Sequence, residues 1–578
     1  MRLSKNIKLT LAVTALFAIA SPAAAQTAAK KAPAAMQASK PSAQLVEQWN
    51  VEGVDALNSG DYKLALAIFE PMAQQGIAIA QYNLGFMYAN GHGVPKDWAK
   101  AIALYRLSAD QGLLEAQHNL GVAYYEGTGV PKDPVVAVTW FRKAADRGHA
   151  PSQHNLGVAY ASGSGVTQDH KVAASLYRLA AEQGFAEGQL NLGMSYRQGQ
   201  GVPQDNDLAI IWFRKAADQG LAMAQSNMGT MYFQGWGVGQ DRSIARAWYQ
   251  KAADQGIAFA QYTLGSMYFE GEGGPKDDAT GLMWLKKAAD QGSADAQNDL
   301  GARYKQGRGV ARDASAAREW FQKAADQGLA FGQHNLGSMY YEGADIPKDM
   351  TLAVKFFRLA SDQGYAQSQL TLGTFYELGT GVPINLATAA SLYQKAADQG
   401  LPQAHHNLGL IYANGRGVPR NDATAFKFFQ RGAELGLVDS QMAVAACYFQ
   451  GRGVNKDLKA SASWLLKAAE QGNSDAQLLI GQRYFDGTGV PKNAPLGISW
   501  LTKAADRGNV RAQLTLGIVM NLGEGIRPNP VQSYKWLSLS SAYGNEDARR
   551  LRTMLVQSMT AAQIAEGQRL AREWKKKE

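Results

Sequence analysis

Residues 97–132 read DWAKAIALYRLSADQGLLEAQHNLGVAYYEGTGVPK, and variants of this 36-residue stretch fill most of the chain. Glycine recurs at Gly76, Gly112 and every thirty-sixth residue through Gly544, which places fourteen glycines in register. Position 61 and its thirteen equivalents are always Asp or Asn, and no insertion interrupts the series. A fixed period of about 20 to 50 residues is typical of a solenoid, in which helical hairpins bury their apolar faces by stacking on their neighbours.

The first half of this unit predicts a capped helix. Asp97 can accept hydrogen bonds from the backbone amides of the opening turn. Ala101 and Tyr105, four residues apart, share one face of that helix. Gly112 supplies the left-handed residue that commonly follows a helix end. The spacing therefore predicts a first helix that ends before Gly112 and a second helix that begins near Glu115.

The second half predicts another helix and a connecting loop. Ala116, Leu120 and Tyr124 recur at a spacing of four and indicate a core-facing side, with Gly121 as a site of close contact. The loop GTGVPKD that follows contains Pro131, which prevents the helix from continuing and leads to the next capping Asp. We therefore predict an all-α fold, a right-handed α/α solenoid of about fourteen 36-residue helical-hairpin repeats.

The N-terminus is predicted to direct export. Residues 1–25 combine basic residues, an apolar run from Leu9 to Ala20 and small residues before Gln26, which is typical of a cleaved secretory signal. The apolar run is shorter than the roughly 20 residues of a membrane span. The residue after the predicted cleavage point is Gln26, whereas lipidation would need a cysteine there. We expect a soluble periplasmic or secreted protein with no transmembrane segment.

The predicted organisation has five parts. After the signal, residues 26–44 are rich in Ala, Lys and Pro and are expected to be a disordered linker. Residues 45–60 are expected to form an N-terminal helix, a partial repeat, and residues 61–550 the solenoid. Residues 551–578 are expected to form a C-terminal capping helix and a basic tail.

Charge and cysteine content exclude several classes. The formal net charge is +9, but the excess comes from the signal, the linker and the tail, so residues 45–568 are formally neutral. A nucleic-acid binder would carry a basic stripe on its folded surface, so no nucleic-acid partner is expected. Cys447 is the only cysteine, which rules out an intramolecular disulfide. Its place on the apolar side of a predicted helix indicates a buried, unreactive thiol.

No catalytic motif stands out. The chain lacks G-x-S-x-G, S-x-x-K and H-E-x-x-H patterns. The repeated G-x-G-V-P loops lack the Lys and Ser/Thr of a phosphate-binding loop and are interpreted as connectors. Histidine occupies one repeat position four times, which we interpret as a variable, partly exposed position (His118, His154, His334, His406). We therefore predict no enzyme and assign no catalytic, cofactor-binding or metal-binding residue.

Two repeated polar or aromatic positions are candidates for a binding surface. Asparagine side chains can donate and accept, so a row of them can hold the backbone of an extended peptide. The alternative is that they cap or brace the loop of the neighbouring hairpin. Tryptophans at one first-helix position are expected to be half-buried, with their exposed parts available to a partner. The asparagine row is Asn83, Asn119, Asn155, Asn191, Asn227, Asn335 and Asn407, and the tryptophans are Trp140, Trp212, Trp284, Trp464, Trp500 and Trp536.

Segments such as AADQGLAFGQHNLGSMYYEG (324–343) and KAADQGIAFAQYTLGSMYFEGEGGPKDD (251–278) resemble the Sel1-like repeats, which are relatives of tetratricopeptide repeats. The resemblance covers about residues 45–550, and residues 559–574 look like the terminal helix that often follows such arrays. Local departures are His405, Ala445 and Asp345.

The resemblance implies a non-enzymatic scaffold or adaptor that binds a protein or peptide partner in the bacterial envelope. Some exported, cysteine-rich members of the family have been described as penicillin-binding or weakly β-lactamase-like, but this chain lacks their cysteines. A cell-wall or β-lactam-directed hydrolase and a polysaccharide-binding assembly factor remain the alternatives. The sequence leaves a glycan partner and the oligomeric state open.

Overall fold

The computed structural model describes residues 41–344, 346–523 and 525–577. Within these ranges the regular elements are α-helices, and they form two compact units: one ends at Ser293 and the other begins at Ala294. We call them the N-terminal unit and the C-terminal unit. The predicted signal and most of the predicted linker lie outside the described residues, as does Asp345.

The described part of the N-terminal unit, residues 41–293, contains fourteen helices. In chain order they are α1 (Ala43–Asn58), α2 (Tyr62–Gln74), α3 (Ala78–Asn90), α4 (Trp98–Asp110), α5 (Leu114–Glu126), α6 (Pro134–Ala145), α7 (Ala150–Ser162), α8 (His170–Glu182), α9 (Ala186–Gln198), α10 (Asn206–Asp218), α11 (Ala222–Gln234), α12 (Arg242–Asp254), α13 (Ala258–Glu270) and α14 (Asp278–Asp290).

The C-terminal unit continues the same alternation. Its helices are α15 (Ala294–Gln306), α16 (Ala314–Asp326), α17 (Ala330–Glu342), α18 (Met350–Asp362), α19 (Ala366–Leu378), α20 (Leu386–Asp398), α21 (Pro402–Asn414), α22 (Asp422–Glu434), α23 (Val438–Gln450), α24 (Leu458–Glu470), α25 (Ser474–Asp486), α26 (Ala494–Asp506), α27 (Val510–Leu522), α28 (Pro530–Ala542), α29 (Glu546–Val556) and α30 (Ala561–Glu573).

Even-numbered helices from α2 to α28 are the first helices of the hairpins, and odd-numbered helices from α3 to α29 are the second helices. At all fourteen predicted capping positions the Asp or Asn side chain accepts a backbone hydrogen bond; Asp97, for example, accepts from the amide of Lys100 at 3.0 Å. Gly112 follows α4 with φ +90°, a left-handed conformation that suits glycine. These features confirm the predicted α/α solenoid architecture.

The stacking depends on glycine at the Gly121 position. A Cβ added to Gly121 would lie 2.6 Å from the ring of Phe141, so the second helix of one hairpin packs directly against the first helix of the next. Ala101 and Leu120 are fully buried, as their spacing predicts. Tyr124 is only half-buried, because its hydroxyl reaches the helix edge and accepts a hydrogen bond from Arg106. The assignment of this tyrosine position to the core was therefore only partly right.

The two chain ends depart from the repeat. At the N-terminus α1 begins at Ala43, slightly before the predicted boundary. At the C-terminus Thr560 and Gln563 form a reciprocal capping box at the start of α30. This helix packs across α28, where Gly567 lies against the ring of Tyr534. Among the described residues, no helix is both long enough and apolar enough to cross a membrane.

Candidate protein-binding surfaces

A ladder of glutamine side chains joins neighbouring hairpins. On α7, Gln153 is buried, and its Nε2 donates to the carbonyl of Ala145 at 3.2 Å. Its Oε1 accepts a hydrogen bond from Nε2 of Gln183, at the end of the following first helix, at 2.7 Å. We call this arrangement the glutamine ladder. The same bond joins nine pairs: 81/111, 153/183, 189/219, 225/255, 261/291, 297/327, 333/363, 369/399 and 441/471.

The ladder breaks where the first-helix glutamine is replaced. The residues at the broken rungs are Arg147, Leu435, Arg507 and Tyr543. The second-helix atoms that face them have no hydrogen-bond partner, and they are Oε1 of Gln117, Nδ1 of His405, Oε1 of Gln477 and Oε1 of Gln513. The glutamine ladder therefore links neighbouring hairpins only where both glutamines are present. The sequence carried the signal as two glutamines thirty residues apart, which the analysis of single positions missed.

The asparagine row lies between adjacent second helices and is buried or half-buried. Asn83 donates to Asn50 at 2.8 Å, Asn335 donates to Asn298 at 2.8 Å, and Asn191 bonds Nε2 of the preceding repeat's histidine at 2.8 Å. Asn119 lies 3.5 Å from the hydroxyl of Tyr82. These hydrogen bonds brace the stack, as the alternative predicts, but their partners lie on the neighbouring second helix and not in a loop. A role of the row in peptide binding stays a prediction.

The repeated histidines also brace the stack. Nδ1 of His118 lies 3.1 Å from Oγ of Ser152 on the next second helix, and two further histidine–serine pairs repeat this contact: His334/Ser368 and His406/Ser440. Burial lowers the pKa of His118 to about 3, and the pKa of His154 and of His334 to about 4. Because His118 is buried, the expectation of a partly exposed position was wrong there. No described cluster of three or more His, Cys, Asp or Glu side chains suits a metal ion.

The tryptophan position of the first helices is covered by lysine. Trp140 is 9% exposed and Trp284 is 4% exposed, so several rings are more deeply buried than expected. Trp248 and Trp320 occupy the same position and extend the predicted series. The lysine three residues later lies over the ring at 3.7 to 4.2 Å, a cation–π contact. These pairs form the tryptophan–lysine row: 140/143, 212/215, 248/251, 284/287, 320/323, 464/467 and 500/503.

A carboxylate lies at the end of twelve successive first helices, as the last helical residue or the residue after it, three residues after the lysine position. We call these residues the carboxylate row. Eleven of them are exposed, whereas Asp506 is half-buried. They are Asp110, Asp146, Glu182, Asp218, Asp254 and Asp290 in the N-terminal unit, and Asp326, Asp362, Asp398, Glu434, Glu470 and Asp506 in the C-terminal unit.

Asp506 is covered by the chain's own C-terminal tail, residues 574–577. The tail lies on a surface of α26 and α28 that includes Trp536 and borders Met520, and we call this surface the terminal groove. A space of about 610 Å³ is left beside the tail, which forms part of its lining. Nζ of Lys577 donates to Oδ2 of Asp506 at 2.6 Å, and Nε1 of Trp574 donates to its Oδ1 at 3.3 Å. A non-helical segment of the chain thus lies on this member of the carboxylate row.

Stacked α-helical hairpins of constant length define a helical-repeat protein. The Sel1 repeat profile matches thirteen consecutive segments, from 78–113 to 510–545, and the chain therefore belongs to the Sel1 repeat family. Each matched segment pairs a second helix with the first helix of the next hairpin, which is the closely packed pair seen here.

Two solved structures illustrate the relationship. A protective antigen of uropathogenic Escherichia coli strains, described as displaying an SLR fold, is 33% identical, with 82% of this chain and 94% of that chain covered and a TM-score of 0.60. A Sel1 repeat protein from Oxalobacter formigenes is 32% identical, with 53% of this chain and 90% of that chain covered and a TM-score of 0.46. A comparison with curated proteins gives no match.

Proposed function

We propose that this protein is a non-enzymatic scaffold of the bacterial envelope that binds a protein or an extended peptide along its first helices. Sel1 repeat solenoids are generally protein-interaction scaffolds, because stacked repeats expose long continuous surfaces. The observation that carries the proposal is the terminal groove, where a segment of extended chain lies on first-helix side chains. The envelope location rests on the signal-like sequence of residues 1–25.

The chemistry of the terminal groove recurs along both units. Asp506 at the end of α26 and Trp536 on α28 are thirty residues apart, and both line the groove. Since the repeat length is constant, other carboxylate–tryptophan pairs with the same separation occupy equivalent places on adjacent first helices. These pairs are 110/140, 182/212, 218/248 and 254/284 in the N-terminal unit, and 434/464 and 470/500 in the C-terminal unit. An extended partner with spaced cationic side chains would meet several of them.

The asparagine row is kept as a second candidate surface. Its side chains can hold a peptide backbone only by giving up the inter-helix hydrogen bonds that they make here. Binding at this row would therefore be accompanied by loosening of adjacent second helices, whereas binding at the carboxylate row would leave them in place. This difference separates the two surfaces experimentally.

The test is affinity capture with residues 26–578 from periplasmic and secreted fractions of the source bacterium. One variant carries Asp218→Asn and Asp254→Asn, which neutralise two neighbouring members of the carboxylate row; the other carries Asn119→Ala, Asn155→Ala and Asn191→Ala. We expect one protein to be retained by the native chain and by the asparagine variant, and to be lost from the carboxylate variant. Loss from the asparagine variant alone would assign the surface to the asparagine row.

The competing function is tested on the same preparation. Stoichiometric labelling of the chain by a fluorescent penicillin would identify a nucleophile and overturn the non-enzymatic proposal. We expect no labelling, since the sequence carries none of the serine motifs of such enzymes.

A further inference from the structure

The tail is not helical and lies against α26. Helix α30 ends at Glu573, and Trp574 has φ −64° and ψ 134°, so the chain continues in an extended conformation. Residues 575–577 show no helical or turn structure. Three consecutive lysines could continue α30 without steric penalty. In this conformation Trp574 and Lys577 contact residues outside α30.

Asp506 provides most of those contacts. Besides the two side-chain bonds described above, the backbone amide of Lys577 donates to the backbone carbonyl of Asp506 at 2.8 Å. Asp506 is the last residue of α26, where helix carbonyls lack partners within the helix and the helix dipole favours a cation. One residue thus offers the tail a carboxylate, a free carbonyl and a negative helix end.

The aromatic contact of the tail is made by Trp574. Trp574 is half-buried and packs with Trp536 and Met520 on the cluster that forms the end of the stack. Its indole N–H is satisfied by Asp506 while the ring covers apolar surface. The tail therefore presents to the groove an aromatic residue and a cation three positions later, in an extended segment.

The tail is held in a form that can exchange. The side chain of Lys577 is 72% exposed, and an ion pair so exposed contributes little to stability. Lys535 also lines the groove, and its pKa is lowered by burial and by the nearby Lys577, while Asp506 acts in the opposite direction. The tail thus brings its lysines next to Lys535, and Asp506 and Glu573 are the carboxylates of the same lining.

We infer that the terminal groove is a binding site for an extended partner segment of the form Trp-x-x-Lys, and that residues 574–577 are an exchangeable internal ligand that occupies it. The inference rests on the proposed scaffold function for the identity of the partner protein. The groove itself is tested with the tail sequence alone.

The experiment uses a fluorescein-labelled peptide, Trp-Lys-Lys-Lys-Glu, and the chain shortened to residues 26–573. Binding is measured by fluorescence anisotropy. We expect the shortened chain to bind the peptide at least about tenfold more tightly than residues 26–578, in which the tail competes. Asp506→Asn in the shortened chain should weaken binding by about tenfold or more, because it removes the charged acceptor.

The matched control is Glu319→Gln. Glu319 is an exposed carboxylate on the first helix α16 and lies outside the carboxylate row. This variant should bind the peptide as the unchanged shortened chain does. Peptides with Ala in place of the tryptophan or of the last lysine should bind at least about tenfold more weakly.

Folding of each variant is checked by its helical circular dichroism. If the shortened chain does not fold, residues 26–578 with Trp574→Ala and Lys577→Ala replace it, since this variant keeps the chain length. A folded chain with an open groove that does not bind the peptide would overturn the inference, as would equal binding of the peptide without tryptophan. If the peptide binds but affinity capture yields no partner, the inference about the groove is supported and only the scaffold proposal is contradicted.

Discussion

Replacing Gln183 by leucine should remove one rung of the glutamine ladder. Leucine has a similar size and stands naturally at residue 435, so the change removes the amide without a large change in volume. Gln153 is 4% exposed, and its Oε1 would lose its donor at 2.7 Å while staying buried. A buried acceptor left without a partner costs about 1 to 3 kcal/mol, so we expect a loss of about 2 kcal/mol.

The assay is chemical denaturation of residues 26–578, combined with hydrogen exchange of the amides in α7 and α8. Exchange is needed because long repeat arrays can open locally before they unfold globally. A loss of about 2 kcal/mol corresponds to roughly thirtyfold faster exchange of amides that open with this interface. The effect should be largest at α7 and α8 and fade in more distant hairpins.

Arg147→Leu is the matched control. It stands at the same repeat position, but Oε1 of the facing Gln117 already lacks a partner, so no rung is lost. Arg147 bonds only the carbonyl of Gly112 at the surface. We expect a smaller loss than for Gln183→Leu. Equal losses in the two variants, or no loss in Gln183→Leu, would refute the role assigned to the ladder.

Three further changes test the packing. Arg147→Gln should complete the rung at Gln117 and raise the free energy of unfolding by about 1 kcal/mol in urea denaturation. Gly121→Ala should lower the free energy of unfolding by about 1 to 3 kcal/mol, because the new methyl group meets Phe141. Ala445→Gly, at the equivalent position, should lower it by up to about 1 kcal/mol, because glycine has a lower helix propensity than alanine. The three histidines with pKa values of about 3 to 4 are neutral in the folded protein and gain protons on unfolding below about pH 6.5. The free energy of unfolding should therefore be highest above about pH 6.5 and fall toward pH 4. At pH 5 the loss should be about 2 kcal/mol per histidine. A His118→Gln variant should show a shallower loss in thermal unfolding between pH 7 and pH 5, and an unchanged slope would contradict the neutral state assigned to this histidine.

The sequence predicts the hairpins well because their signals are local. A capping Asp or Asn, a left-handed glycine and a spacing of four each act within one helix or turn, and the structure shows all of them. Tyr124 was assigned to the core because periodicity gives the direction of a side chain but not the depth to which its tip is buried. The hydroxyl extends to the helix edge and meets Arg106.

The contacts between hairpins were harder to predict because they join residues thirty or more positions apart. Gln153 and Gln183 look like unrelated surface amides until the stack places them side by side. The tail is a stronger case, since Lys577 and Asp506 lie 71 residues apart and belong to no shared repeat position. A non-repeating segment that lies on a repeating surface leaves no periodic signal in the sequence.

The most direct test of the proposed scaffold is to map where a captured partner touches the chain. Photo-crosslinking residues would be placed one at a time at Lys215 and Lys251 in the tryptophan–lysine row, and at Met223 and Phe259, which are exposed on second helices. We expect crosslinks to the partner from the two lysine positions and none from the other two. Crosslinks confined to Met223 and Phe259 would contradict binding along the first helices.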